Sequence, residues 1–73
     1  PEDMNASVIR ECRRRVEHPA VTAGDIDEVS LQIMSYILPA SIDPVGNILV
    51  QKLIEKGSDA TRDKIIARLG KYL

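Results

Sequence analysis

Apolar residues recur at helical spacing in four separate segments of this chain, and each of the first three is stopped by a Pro or a Gly. That combination points to an all-α fold. The first segment runs from about Asp3 to His18, where Met4, Val8, Ile9, Cys12 and Val16 form one stripe and Pro19 forbids continuation. A second helix is expected to begin near Ile26, with Asp25 and Glu28 as an N-capping pair, and to end at Pro39. Along it Ile26, Val29, Ile33 and Ile37 make one stripe. Leu31, Met34 and Leu38 fall to one side of that stripe, so the helix asks to be packed from two sides. The segment Ala40 to Gly46 should turn the chain, with Asp43 and Pro44 as turn formers and Gly46 removing bulk where the next helix starts. That third helix buries Leu49, Val50, Leu53 and Ile54 and closes at Gly57. The fourth, capped by Ser58 or Asp59, carries Ile65, Ile66, Leu69, Tyr72 and Leu73, and Gly70 weakens it by about 1 kcal/mol relative to Ala.

The other side of the third helix holds a surface suited to recognition. Asn47, Gln51 and Glu55 line up one turn apart, and Ile48 sits among them, away from the apolar stripe. A β-branched hydrophobe there gains nothing from the core unless a partner covers it. Asn and Gln each offer two donors and an acceptor in a flat group, which can match the edge of a nucleobase. A uracil edge, two carbonyl acceptors flanking one N–H donor, fits an Asn and a Gln one turn apart, with Ile48 against the face of the base. Taken alone, such a pair also describes an ordinary solvated face.

The residues Asp43, Pro44, Gly46, Asn47, Val50, Gln51, Leu53 and Glu55, in the run DPVGNILVQKLIE, resemble the core signature of a Pumilio (PUF) repeat. The resemblance covers one full repeat, about residues 30–57, and residues 58–73 look like the opening of the next. Residues 1–29 carry no such signature and read as an amino-terminal cap or a degenerate repeat. The fold this implies is a fragment of an α-α superhelix, a curved solenoid of about four helices, with each reading helix on the concave face. Carried over by position, Asn47 and Gln51 are the edge-reading pair, the combination the family uses for uracil, and Ile48 takes the stacking position. Here the chain departs from the commonest pattern, because the family most often stacks with an aromatic or Arg side chain. An aliphatic group supplies contact without π overlap and implies weaker binding at this base. By the same resemblance the partners are single-stranded RNA of messages, together with proteins of mRNA decay or translational repression, and the location is cytoplasmic.

Length and composition fit a piece of a larger array. The chain has 73 residues, 44% of them hydrophobic, with no Phe or Trp and two Tyr, enough for one small core at most. It begins at Pro1 and stops at Leu73 within an apolar pattern, so the open end at Ile66, Leu69, Tyr72 and Leu73 is expected to meet a following repeat or a second copy. The single Cys12 cannot form an internal disulfide and lies on an apolar stripe, which reads as a small buried hydrophobe from a reducing compartment. No apolar run is long enough for a bilayer and no signal-type start is present, so an intracellular protein is expected.

The net charge of −1 and pI near 5.7 argue against generic phosphate gripping. The first helix is nonetheless locally basic. Arg10, Arg13 and Arg14 point away from its stripe and Arg15 flanks it, either as a solvated face that suits the helix dipole or as a phosphate or partner contact. His18, without a Cys or His at ligand spacing, reads as a helix-end residue and not a metal site. No Ser/His/Asp or Cys/His set, glycine-rich phosphate loop or tuned carboxylate pair is present, so neither an enzyme nor a cofactor is expected. The competing class is a helical protein-interaction module of armadillo, HEAT or adaptor type, with Ile48 anchoring a partner peptide.

Overall fold

The computed structural model describes residues 2–70, and the side chains of residues 6–70. The side chain of Met4, and Tyr72 and Leu73 altogether, lie outside the described residues. Those described form α1 (Glu2–Glu17), α2 (Ala23–Ile33), a 3₁₀ turn (Met34–Tyr36), α3 (Ile37–Ile42), α4 (Gly46–Lys56) and α5 (Asp59–Gly70). There is no strand among them, and the fold is all-α.

The helix α1 forms on its apolar stripe: Ile9, Cys12 and Val16 are buried and Val8 is packed against them. Arg14 and Arg15 in its last turn complement the negative end of the helix dipole. Pro19 ends it. The imidazole Nδ1 of His18 then accepts from the backbone N–H of Ala20 at 3.0 Å, which fixes the exit of the chain.

The second expected helix begins earlier than its Asp25–Glu28 pair implies. Thr22, with extended backbone, is the N-cap: its hydroxyl accepts from Asp25 N–H at 3.1 Å, and the Asp25 carboxylate accepts from Thr22 N–H at 3.0 Å. This reciprocal capping box satisfies two donors that a helix start leaves orphaned, and it moves the first turn to Ala23. The Asp25 carboxyl is held below the usual range, first by the Thr22 backbone bond and then by its hydroxyl. Glu28 instead pairs with Arg15 of α1 at 2.8 Å.

Pro39 does not end this segment. The helix breaks before it, at the 3₁₀ turn, where Ile33 (φ −107°, ψ 6°) and Tyr36 (φ −114°, ψ 11°) leave helical geometry. Pro39 is the third residue of α3, a first-turn place that needs no intrahelical N–H. The expected single helix is therefore two, and the described chain has five α-helices where about four were anticipated. Ala40 to Ile42 are helical as well, so the turn is confined to Asp43–Val45.

The break has a packing reason. Ile26, Val29, Ile33 and Ile37 are all buried, and rotating the chain at the 3₁₀ turn lets Ala40 join them. Of the second side, Met34 packs against the core and Leu38 is partly covered, while Leu31 is 67% exposed among the described residues.

At the centre lies α4, which packs against α1, α2, α3 and α5. Leu49, Val50 and Leu53 are buried there, Leu53 with no exposed surface, and Ile54 is partly covered. Close approach is made possible by Gly46: a Cβ at that position would meet the carbonyl oxygen of Ala40 at 2.5 Å. The helix closes at Gly57, and the Ser58 hydroxyl caps α5 by accepting from Thr61 N–H at 3.2 Å. From α5, Ile65 completes the core, while Ile66 is 51% exposed.

One polar cluster holds α2 to the start of α5. The carboxylate of Asp27 accepts from the Thr61 hydroxyl at 2.6 Å and from the hydroxyl and N–H of Ser58 at 3.2 and 3.4 Å. Among the described residues no buried side-chain polar atom lacks a partner.

Candidate functional site

The turn before α4 is built by Asp43 and Pro44. The Asp43 carboxylate accepts from the N–H groups of Val45 at 2.9 Å and Gly46 at 2.7 Å, and its carbonyl accepts from Asn47 N–H at 2.8 Å. Asp43, with extended backbone, thus holds together the turn that leads into α4, and Pro44 inside it has the fixed φ that a turn favours. The run Asp-Pro-x-Gly therefore aims α4 by local chemistry.

Beyond this turn Asn47, Ile48 and Gln51 lie on the side of α4 turned from the core. Gln51 is exposed, Ile48 is 38% exposed and Asn47 is half-buried. The three sequence-derived residues are thus brought together on one strip, with Glu55 exposed one turn further on.

Asn47 is more constrained than its place on a polar face suggests. Its Nδ2 donates to the carbonyls of Asp43 at 2.8 Å and Pro44 at 3.0 Å, and its Oδ1 accepts from Gln51 Nε2 at 3.3 Å. Both donors of the Asn47 amide serve the turn, so the orientation of the group is set before any ligand arrives. What remains adaptable is the acceptor Oδ1 and the whole amide of Gln51, whose bond to Asn47 is long and solvent-facing.

Alongside the strip runs α1, in the same direction as α4. Ala6 and Arg10 line a cavity of about 290 Å³ with Asp43 and Val45 before α4 and with Tyr36 of the 3₁₀ turn, and at the other end Lys56 Nζ donates to the carbonyl of Val16 at 3.3 Å. Glu17 bridges the two helices, 3.0 Å from Arg13 and 3.8 Å from Lys52. The Arg13 guanidinium holds the Glu17 carboxyl below the usual range, with Lys52 and Lys56 adding to the effect. This cleft between α1 and α4 was not evident from the sequence, because the spacing of residues within each helix says nothing about which flanks meet.

Cys12 is buried, and desolvation pushes its thiol pKa up, away from the thiolate form that reactivity requires. Among the described residues, no group of three or more His, Cys, Asp or Glu side chains could hold a metal ion, and no helix is long and apolar enough to cross a membrane.

Comparison with known proteins returns one kind of relative. The chain is 26% identical over 70 residues to a Pumilio domain-containing protein of Schizosaccharomyces pombe, a match covering 96% of this chain and 7% of that protein. It is 31% identical over 65 residues to the Saccharomyces cerevisiae protein JSN1, covering 89% and 6%. A third match, 25% identical over 72 residues, is to the Saccharomyces cerevisiae mRNA-binding protein PUF2, covering 99% and 7%. The chain thus spans less than a tenth of the length of each of these three. No protein-family model matches the chain, and no solved structure matches it significantly. The Asp-Pro-x-Gly-Asn turn, the helix it aims and these relatives converge: the chain is a repeat segment of the Pumilio (PUF) family.

Proposed function

We propose that this segment is part of an array that binds single-stranded RNA by sequence, and that the repeat at residues 30–57 reads a uracil through Asn47, Ile48 and Gln51. Residues 1–29 then act as a cap or degenerate repeat and residues 58–73 open the next one. The observation that carries the reading is the shared, outward strip formed by those three side chains on a helix aimed by its own turn. The relative named as an mRNA-binding protein supports it.

The chemistry follows from the hydrogen bonds. Gln51 swings from Asn47 to donate to one carbonyl of the base, which frees Asn47 Oδ1 to accept from the ring N–H. The base lies over Ile48, held by dispersion contact and by removal of apolar surface from water. The activity is binding without catalysis, and the role is cytoplasmic control of message translation or decay through recruited proteins.

The test uses the full array and RNAs that differ at one nucleotide. Asn47→Ser with Gln51→Glu replaces the amide pair with the combination the family uses for guanine, since a carboxylate accepts from guanine N–H groups. Preference at that nucleotide is expected to move from uracil towards guanine. Unchanged preference with RNA still bound would make this repeat a structural cap, and Ile48 with its neighbour Val45, 40% exposed, a candidate anchor for a partner peptide.

A further inference from the structure

We infer that α1 supplies a wall for the RNA sugar-phosphate backbone: Arg10 and Arg13, facing the cleft between α1 and α4, take the phosphates beside the nucleotide whose base lies on α4. The inference rests on the proposed reading of α4 and adds a second helix to it.

Arg10, Arg13 and Arg14 line an open cleft of about 440 Å³ together with Glu17 and with Val45 at the start of α4. From α4, Lys52 and Lys56 reach α1 across the same flank. Three carboxylates, Glu17, Asp43 and Glu11, lie beside these cations. Glu17 lies between Arg13 and Lys52, and Asp43 is already engaged by the N–H groups of Val45 and Gly46. Glu11 meets Arg14 at 3.0 Å. Cations therefore outnumber carboxylates along this flank, although the chain as a whole carries a net charge of −1. The pairs of Arg13 and Arg14 are exposed, screened by solvent, and open to exchange for a phosphate.

The way a base would sit on α4 explains why the backbone would fall here. Around α4, Ile48 lies between the amides of Asn47 and Gln51 on one side and the flank turned to α1 on the other. A base resting on Ile48 with its pairing edge towards the amides carries its ribose on the opposite side of the ring. That side is the α1 cleft. A guanidinium fork matches two phosphate oxygens at once, and a wall of such groups holds an RNA strand in register without reading its sequence.

The experiment measures the salt dependence of oligouridylate binding by the full-length protein. Arg10→Gln with Arg13→Gln is expected to shift the slope of log K against log salt by about 0.7 for each phosphate no longer neutralised, leaving the preference for uridine over guanosine oligomers intact. Arg10→Gln alone, at an exposed position, should give half that shift, and Arg10→Lys with Arg13→Lys should keep the wild-type slope. Arg15→Gln removes the same charge from the α2 flank, where Arg15 pairs with Glu28, and should leave the slope unchanged. A wild-type slope in the Arg10→Gln, Arg13→Gln protein overturns the backbone wall while the α4 reading stands. An equal shift from Arg15→Gln overturns it too, by showing that only net charge matters. A wild-type protein that binds no oligouridylate overturns both readings.

Discussion

The Thr61 hydroxyl of α5 donates to the carboxylate of Asp27 on α2 at 2.6 Å, and through this bond the start of the last helix is tied to the middle of the second. The hydroxyl and N–H of Ser58 converge on the same oxygen, so one charged acceptor serves three donors that would otherwise compete for water. The Asp27 carboxyl is held below the usual carboxylate range, chiefly by Thr61 and then by the Ser58 backbone.

A pH dependence follows from that depression. A carboxyl with a lowered folded-state pKa contributes stability that is fully present above its unfolded value, near pH 4, and is lost as pH falls through the folded value. Asp27→Ala should lower the melting temperature at neutral pH and flatten the acid limb of the stability curve below about pH 4. Thermal melts of the two proteins across that range check it, and parallel acid limbs would show that Asp27 is not the group responsible.

Leu53 and Gln51 separate packing from the proposed recognition on one helix. Leu53→Ala removes methyl groups from a fully buried site and should cost about 2–5 kcal/mol. Gln51→Ala removes an exposed amide with a 3.3 Å intrahelical bond and should change stability by less than about 0.5 kcal/mol. Denaturant unfolding measures both, and similar losses would mean that α4 is rotated from its assigned orientation.

Glycines at two positions should respond oppositely to alanine. At Gly46 the new Cβ would press on the Ala40 carbonyl and force α3 from α4, at a cost of roughly 1–3 kcal/mol. At Gly70 a Cβ meets no atom of the described residues within 4 Å, so Gly70→Ala should stabilise α5 by up to about 1 kcal/mol. The sign of each change, read by calorimetry, is the test.

The exposed side of α5 predicts association. Ile66 is 51% exposed, and Leu31, 67% exposed, is a second uncovered apolar group on α2. The isolated segment should therefore self-associate through the Ile66 and Leu69 side or melt with weak cooperativity, and should melt at a higher temperature when following repeats are added. Sedimentation is expected to show that Ile66→Glu reduces self-association with little loss of helix. A stable monomer with the same sharp transition at both lengths would argue against an open array end.

Ile48 offers a gain-of-function check on the proposed stacking position. Ile48→Tyr adds an aromatic face and should tighten RNA binding by roughly 1 kcal/mol in the full array without altering which base is preferred. A titration with matched and mismatched RNAs would reveal any change in preference, which would remove Ile48 from the stacking role.

What the sequence by itself determined was local. The stripe of α1, its stop at Pro19, the Asp43–Pro44 turn and the outward strip of Asn47, Ile48 and Gln51 all follow from 3.6-residue periodicity and from the chemistry of residues within one turn of each other. Ambiguity began where two local solutions competed. Asp25 with Glu28 was the expected cap, and Thr22 takes that place because the Thr22–Asp25 box satisfies both of its partners. Pro39 was expected to end one helix and instead lies in the first turn of another. The burial of Ile33, Ile37 and Ala40 in one core decided for the 3₁₀ break, since packing outweighs the small cost of interrupting a helix. Only the tertiary structure could bring Asp27 to Thr61, Arg15 to Glu28 and the basic flank of α1 to Val45 at the start of α4. Such contacts join residues far apart in the chain, and no periodicity within a helix encodes which of its flanks a distant helix will meet.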